Sequence, residues 1–88
     1  MFHVKVDWEC LIDEHSTSFC GQTLIHRLLA DEQGYRILAR FGEEEKEAFA
    51  GTNLLFAVTA YTAIVRGVVT PCTLTDVLSD LKTEKAST

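Results

Sequence analysis

Between Glu47 and Arg66 the chain carries no charged side chain, and this uncharged run, residues 48–65, constrains the fold more than any other segment. It is about as long as the shortest membrane-spanning helices. Its polar residues are not scattered, however. At 100° per residue, Thr52, Thr59, Thr62 and Arg66 fall on one narrow stripe, while Leu54, Val58, Tyr61 and Val65 lie opposite at i, i+4, i+7, i+11. That pattern describes an amphipathic helix with a wide apolar face, buried in a globular domain in preference to crossing a bilayer. Gly42 followed by Glu43-Glu44-Glu45-Lys46-Glu47 reads as its start, because carboxylates in a first turn favour the unpaired amides and the positive end of the dipole. Gly67 sits where a left-handed residue commonly ends a helix, so one long helix is predicted over 43–66. Ala50, Ala57, Ala60 and Ala63 along it would allow another layer to approach closely.

A helix that apolar cannot stand alone, and the rest of the chain has to cover it. With 88 residues there is room for one domain, 1–88, in which nearly every amphipathic segment contributes a face. Hydrophobic residues make up 47% and charged residues 24%, so disorder is expected only at the ends, chiefly the tail 82–88.

The N-terminal stretch alternates, with Phe2, Val4, Val6, Trp8 and Cys10 on one face and His3, Lys5, Asp7 and Glu9 on the other. A period of two predicts a half-buried strand near 2–11, with Cys10 in the core. Asp13-Glu14-His15-Ser16-Thr17-Ser18 breaks the alternation and reads as a loop.

Residues 21–41 admit two readings. Leu24, Ile25, Leu28 and Leu29 have helical spacing, with Ser16 or Thr17 as a cap and Gly34 as a stop. Ile25-Arg27-Leu29 and Tyr35-Ile37-Ala39-Phe41 equally alternate about Asp31-Glu32-Gln33-Gly34, which suits a turn closed by glycine. The hairpin is preferred, with strands near 22–31 and 35–41. A Glu32-Gln33-Gly34 loop would set Leu29 against Ile37 and Ile25 against Phe41. That register places His26, Arg36 and Arg40 on the opposite face, a small basic area bordered by Leu24, Leu28 and Leu38.

After Pro71, Thr73 and Asp76 resemble a capping arrangement, and Leu74, Val77, Leu78 and Leu81 give a short amphipathic helix near 74–84. The predicted fold is therefore α+β: a three-stranded antiparallel sheet, β-β-β-α-α, packed on one long helix plus a short C-terminal one. The sheet's second face would then need the short helix, a partner or a second copy in a homodimer to cover it.

Chemistry is sparse. Cys10, Cys20 and Cys72 are odd in number and widely spaced, and residues 1–7 show no signal-peptide pattern, so reduced thiols in a cytoplasmic protein are expected. Cys10, His15 and Cys20, completed by His3 or His26, could be imagined around a metal. No Cys-x-x-Cys or His-x-x-x-His pair pre-forms half of such a site, and no metal or cofactor is expected. A thiol-dependent enzyme or redox protein would have to use Cys20, which has no local activating group. The glutamate run and Asp13-Glu14 read as solvated charge, not as a general acid pair.

The net charge of −5 disfavours direct nucleic-acid binding, which rests on clustered Lys and Arg, and favours a basic partner protein. The sequence thus points to a non-enzymatic interaction or regulatory module. Small acidic chains of this kind include inhibitors, some from phages and mobile elements, that occupy a surface of a larger nucleic-acid-handling protein. Its expected partner-binding residues are Asp13, Glu14, Glu43, Glu44, Glu45 and Glu47, with Arg36 and Arg40 on the mixed face. The alternatives are the Cys20 enzyme and a small membrane protein spanning with 48–65.

Overall fold

Three two-residue turns organise the computed structural model, which describes residues 9–86. The last pairs before each turn are Phe19 with Gln22, Asp31 with Gly34, and Phe41 with Glu44. The first turn, Cys20-Gly21, has both residues at positive φ (52° and 78°), the arrangement whose twist matches that of the flanking strands. In the second, the Asp31 carboxylate accepts from the amides of Gln33 (2.8 Å) and Gly34 (3.2 Å), which holds Glu32-Gln33 as a tight loop. The strands so joined are β1 (Cys10–Phe19), β2 (Gln22–Asp31), β3 (Gly34–Phe41) and β4 (Glu44–Gly51). They form one antiparallel meander in the order β1-β2-β3-β4.

Helix α1 (Leu54–Arg66) starts at Asn53, whose side chain accepts from the Phe56 amide at 3.1 Å. At its other end Val69 N donates to Ile64 O and Val68 N to Val65 O, both at 3.2 Å, the two bonds of a Schellman ending. The left-handed residue of that ending is Val68, at φ 53°, and not Gly67, which stays right-handed at φ −81°. Helix α2 (Pro71–Ala86) begins with proline at its first position, where no N–H is needed.

Both helices lie on one side of the sheet. The core joins Leu28, Ile37, Ala39 and Ala50 of the sheet to Ala57, Ala60, Tyr61 and Ile64 of α1 and Leu74 and Leu78 of α2. Ala57 and Ala60 let α1 settle close onto the strands. Most of the apolar stabilisation from α1 then falls to the larger Tyr61 and Ile64, on the order of 1.5–3 kcal/mol each when fully buried.

Several expectations are corrected. Among the described residues the sheet has four strands, where three were expected, and β1 and β4 are segments read otherwise. The stretch 13–18, read as a loop, lies inside β1. Residues 43–47, read as a helix start, form the β3–β4 turn and the first half of β4. An edge strand tolerates such a charge run because its side chains project into water while Ala48 and Ala50 turn inward. The long helix over 43–66 is consequently the 13-residue α1, and the C-terminal helix, with 16 residues, is the longer of the two. The strand expected at 2–11 falls mostly outside the described residues. Cys10, expected in the core, is exposed. Thr73 does not cap α2, which has already begun at Pro71.

Among the described residues no helix is long and apolar enough to cross a membrane. The 13 residues of α1 extend about 20 Å, short of the ~30 Å hydrocarbon layer.

Candidate functional site

Directly opposed residues of an antiparallel pair share a face, so the register assigns every strand residue to one of two sides. The helix side carries the rows Asp13–Leu28–Ile37–Ala48, His15–His26–Ala39–Lys46 and Thr17–Leu24–Phe41–Glu44. The other side, turned away from α1 and α2, carries Leu11–Leu29–Arg36–Phe49, Glu14–Arg27–Leu38–Glu47 and Ser16–Ile25–Arg40–Glu45. This second side is the candidate site.

Its chemistry is a mosaic of apolar groups and paired charges. Arg27 holds Glu14 through Nε. Arg36 Nε lies 2.8 Å from Asp31 Oδ2 and its Nη1 lies 3.7 Å from Glu47 Oε1, so one guanidinium ties the β2–β3 turn to β4. That contact, reinforced by the Gln33 amide, holds the Asp31 carboxyl below its ordinary pKa, and Asp31 in turn raises that of Arg36. Arg40 stands opposite Glu45. Leu29 and Leu38 are only 7% and 5% exposed and are flanked across the strands by Arg36 and Arg27. Leu11 at 51% and Phe49 at 42% remain open at the two margins.

Of the expected binding residues, the structure brings Glu14, Arg36, Arg40, Glu45 and Glu47 onto this one face. Asp13 is on the helix side, near Tyr61, whose pKa is raised first by burial and then by the Asp13 carboxylate. Glu43 occupies the β3–β4 turn and Glu44 the helix-side rim of β4. The two acidic clusters therefore sit on opposite edges of the sheet, three strand spacings or about 14 Å apart.

The basic grouping of His26 with Arg36 and Arg40 is overturned. The β2–β3 loop is two residues long, not three, which slides the register by one, and a slip of one residue moves every side chain to the other face. Leu28, not Leu29, opposes Ile37, and Leu24, not Ile25, opposes Phe41. His26 pairs with Ala39 and is 0% exposed beneath the helices. Its Nε2 donates to Val69 O at 2.7 Å, while Nδ1 has no partner among the described residues. Burial lowers its pKa, an effect partly opposed by the Val69 bond.

The register also reveals residues that the sequence did not single out, namely Arg27, Leu11 and Phe49. The signal that would have found them is the even spacing of three two-residue turns, at 20–21, 32–33 and 42–43, which marks a meander.

The other candidate residues are not brought together among the described residues. Cys10 opens β1 and Cys20 follows its last residue, so the strand holds them roughly 30 Å apart, with His15 midway. Among the described residues no group of three or more His, Cys, Asp or Glu side chains could hold a metal ion. His3 lies outside the described residues. Cys20 is an exposed left-handed turn residue. No protein-family profile, curated protein or solved structure matches this chain.

Proposed function

We propose that the chain is a non-enzymatic protein-binding module that seats its open sheet face and the acidic β3–β4 hairpin on the basic surface of a larger, nucleic-acid-handling protein, as a small acidic inhibitor would. The observation that carries this reading is the make-up of the sheet face turned away from α1 and α2. It sets half-exposed Leu11 and Phe49 and nearly buried Leu29 and Leu38 among arginines already oriented by carboxylates. Apolar groups interleaved with fixed arginines are the make-up of interface cores.

At the β3–β4 end of the sheet, Glu43 in the turn and Glu44 on the helix-side rim form no ion pair among the described residues, although Glu14, Asp31 and Glu47 do. Together with a net charge of −5, these carboxylates would steer the chain toward a positive surface, of the sort that binds a phosphate backbone.

The test is capture of the tagged protein's partner from the cytosol of its source cell at low and high salt, with Glu43→Lys/Glu44→Lys run in parallel. A stoichiometric, salt-sensitive partner that the double variant loses, with the melting temperature changed by no more than a few degrees, supports the reading. Unchanged capture by the variant removes the hairpin from the interface.

A further inference from the structure

The sheet has two edges, and they are treated differently. At β4, helix α2 lies alongside, Lys82 Nζ donates to the Phe49 carbonyl at 2.8 Å, and Glu44, Glu45, Lys46 and Glu47 follow one another. The register with β3 also breaks between Tyr35 and Arg36. Charges, an irregular ladder and a covering helix are the devices that keep another strand from adding to an edge.

Strand β1 has little of this on its outer side. It is ten residues long, every residue but the half-buried Thr17 is exposed, and no strand pairs with its outer edge among the described residues. Its irregularity, between Leu11 and Asp13, lies near one end and leaves 13–19 in regular register with β2. Alternate residues of that stretch present unpaired N–H and C=O groups outward.

We propose that β1 pairs antiparallel with β1 of a second copy, joining two four-stranded sheets into one of eight. The charge pattern selects the second copy as occupant. Asp13 and Glu14 lie in the first half of the strand, and Ser16, Thr17 and Ser18 in the second. A two-fold axis normal to the sheet brings the acidic half of each strand against the hydroxyl half of the other. Parallel pairing would stack carboxylate on carboxylate.

Facing residues must share a side of the sheet, which permits only registers centred on a residue. Centring on Glu14 opposes two glutamates, and centring on Asp13 opposes two aspartates. Centring on His15 sets Glu14 against Ser16 and Asp13 against Thr17, each hydroxyl a donor to the facing carboxylate. In this register the helices of both copies stay on one side and the two open faces merge. The inference goes beyond the binding role proposed above and does not depend on it.

The same register predicts its own probe. Because Ile12 is an extra residue in β1, Cys10 of each copy comes opposite Phe19 of the other and next to its Cys20, whereas within one copy the two cysteines are far apart. A short bismaleimide should give a covalent dimer that Cys10→Ser or Cys20→Ser abolishes and Cys72→Ser leaves intact. Sedimentation velocity should show a concentration-dependent dimer, and His15→Lys, an exposed change that sets two ammonium groups face to face, should return it to monomer with an unchanged circular-dichroism spectrum. A chain that is monomeric at millimolar concentration overturns the proposal and leaves the edge to an extended segment of another protein. A dimer that survives His15→Lys, or a cross-link that survives loss of either cysteine, overturns it as well.

Discussion

His26 Nε2 donates to the carbonyl oxygen of Val69 at 2.7 Å, a bond across 43 residues that fastens the connection between the two helices to the middle of the sheet. A carbonyl can only accept, so the proton is on Nε2, and Nδ1 is left as a buried lone pair. His26→Ala should cost about 3 kcal/mol, from the cavity and the unmatched Val69 carbonyl, read as a drop in the urea midpoint.

Burial of the same imidazole sets a pH dependence. Burial lowers the His26 pKa in the folded chain, so the unfolded chain binds the extra proton first as pH falls. The contribution of His26 is thus fully present above the unfolded value of about 6.5 and is lost progressively below it. Urea denaturation between pH 5 and 7.5 should show stability falling toward acid, with a shallower slope in His26→Gln. A slope that does not change would take His26 out of the transition.

Val68 holds the left-handed position that ends α1, where a β-branched residue is disfavoured. Relief of that backbone, on the order of 1–3 kcal/mol, should outweigh the loss of a half-buried side chain. Val68→Gly is expected to raise the melting temperature, an unusual sign for a valine-to-glycine change.

Gly34 and Gly21 both have positive φ but differ in surroundings. A Cβ on Gly34 would lie 2.5 Å from the Gly51 carbonyl oxygen and 3.1 Å from the Phe49 ring, while one on Gly21 would meet nothing within 4 Å. Gly34→Ala should therefore cost about 2–4 kcal/mol, and Gly21→Asn less than about 1 kcal/mol. Thermal melts of the two variants side by side would show whether close approach or φ alone decides the cost.

Helix α1 has no acidic residue in its first turn and depends on Asn53 to satisfy an amide there. Asn53→Ala should cost about 1 kcal/mol, and Asn53→Asp should equal or exceed the original, since the carboxylate also meets the positive end of the helix.

Parts of this fold were legible in the sequence, and the failures have physical causes. The β2–β3 hairpin was readable because both strands alternate about a turn-forming tetrapeptide. Its register was not, since Asp31 can precede a two- or a three-residue loop, and the choice rests on two hydrogen bonds from Gln33 and Gly34 to its carboxylate. That one residue decided whether His26 or Arg27 joined the open face.

Strand β1 escaped detection because an overhanging edge strand is wet on both sides, so Ser16-Thr17-Ser18 shows no apolar period. Strand β4 was hidden by glutamate's preference for helices, which pairing with β3 overrides. Of the candidate site, five residues were named from charge alone. What united them was the strand pairing, which no composition displays.

The meander has a kinetic consequence. Each strand bonds only to its neighbours in sequence, through two-residue turns, so the sheet can close hairpin by hairpin as the chain leaves the ribosome, with little loop-closure entropy at any step. The helices come last in order of synthesis, and until α1 docks and α2 brings Leu74 and Leu78, the apolar rows of β2 and β3 are not fully covered. The slow event in folding should accordingly be the docking of the helical pair, timed by the contact between His26 and Val69, with the sheet already in place.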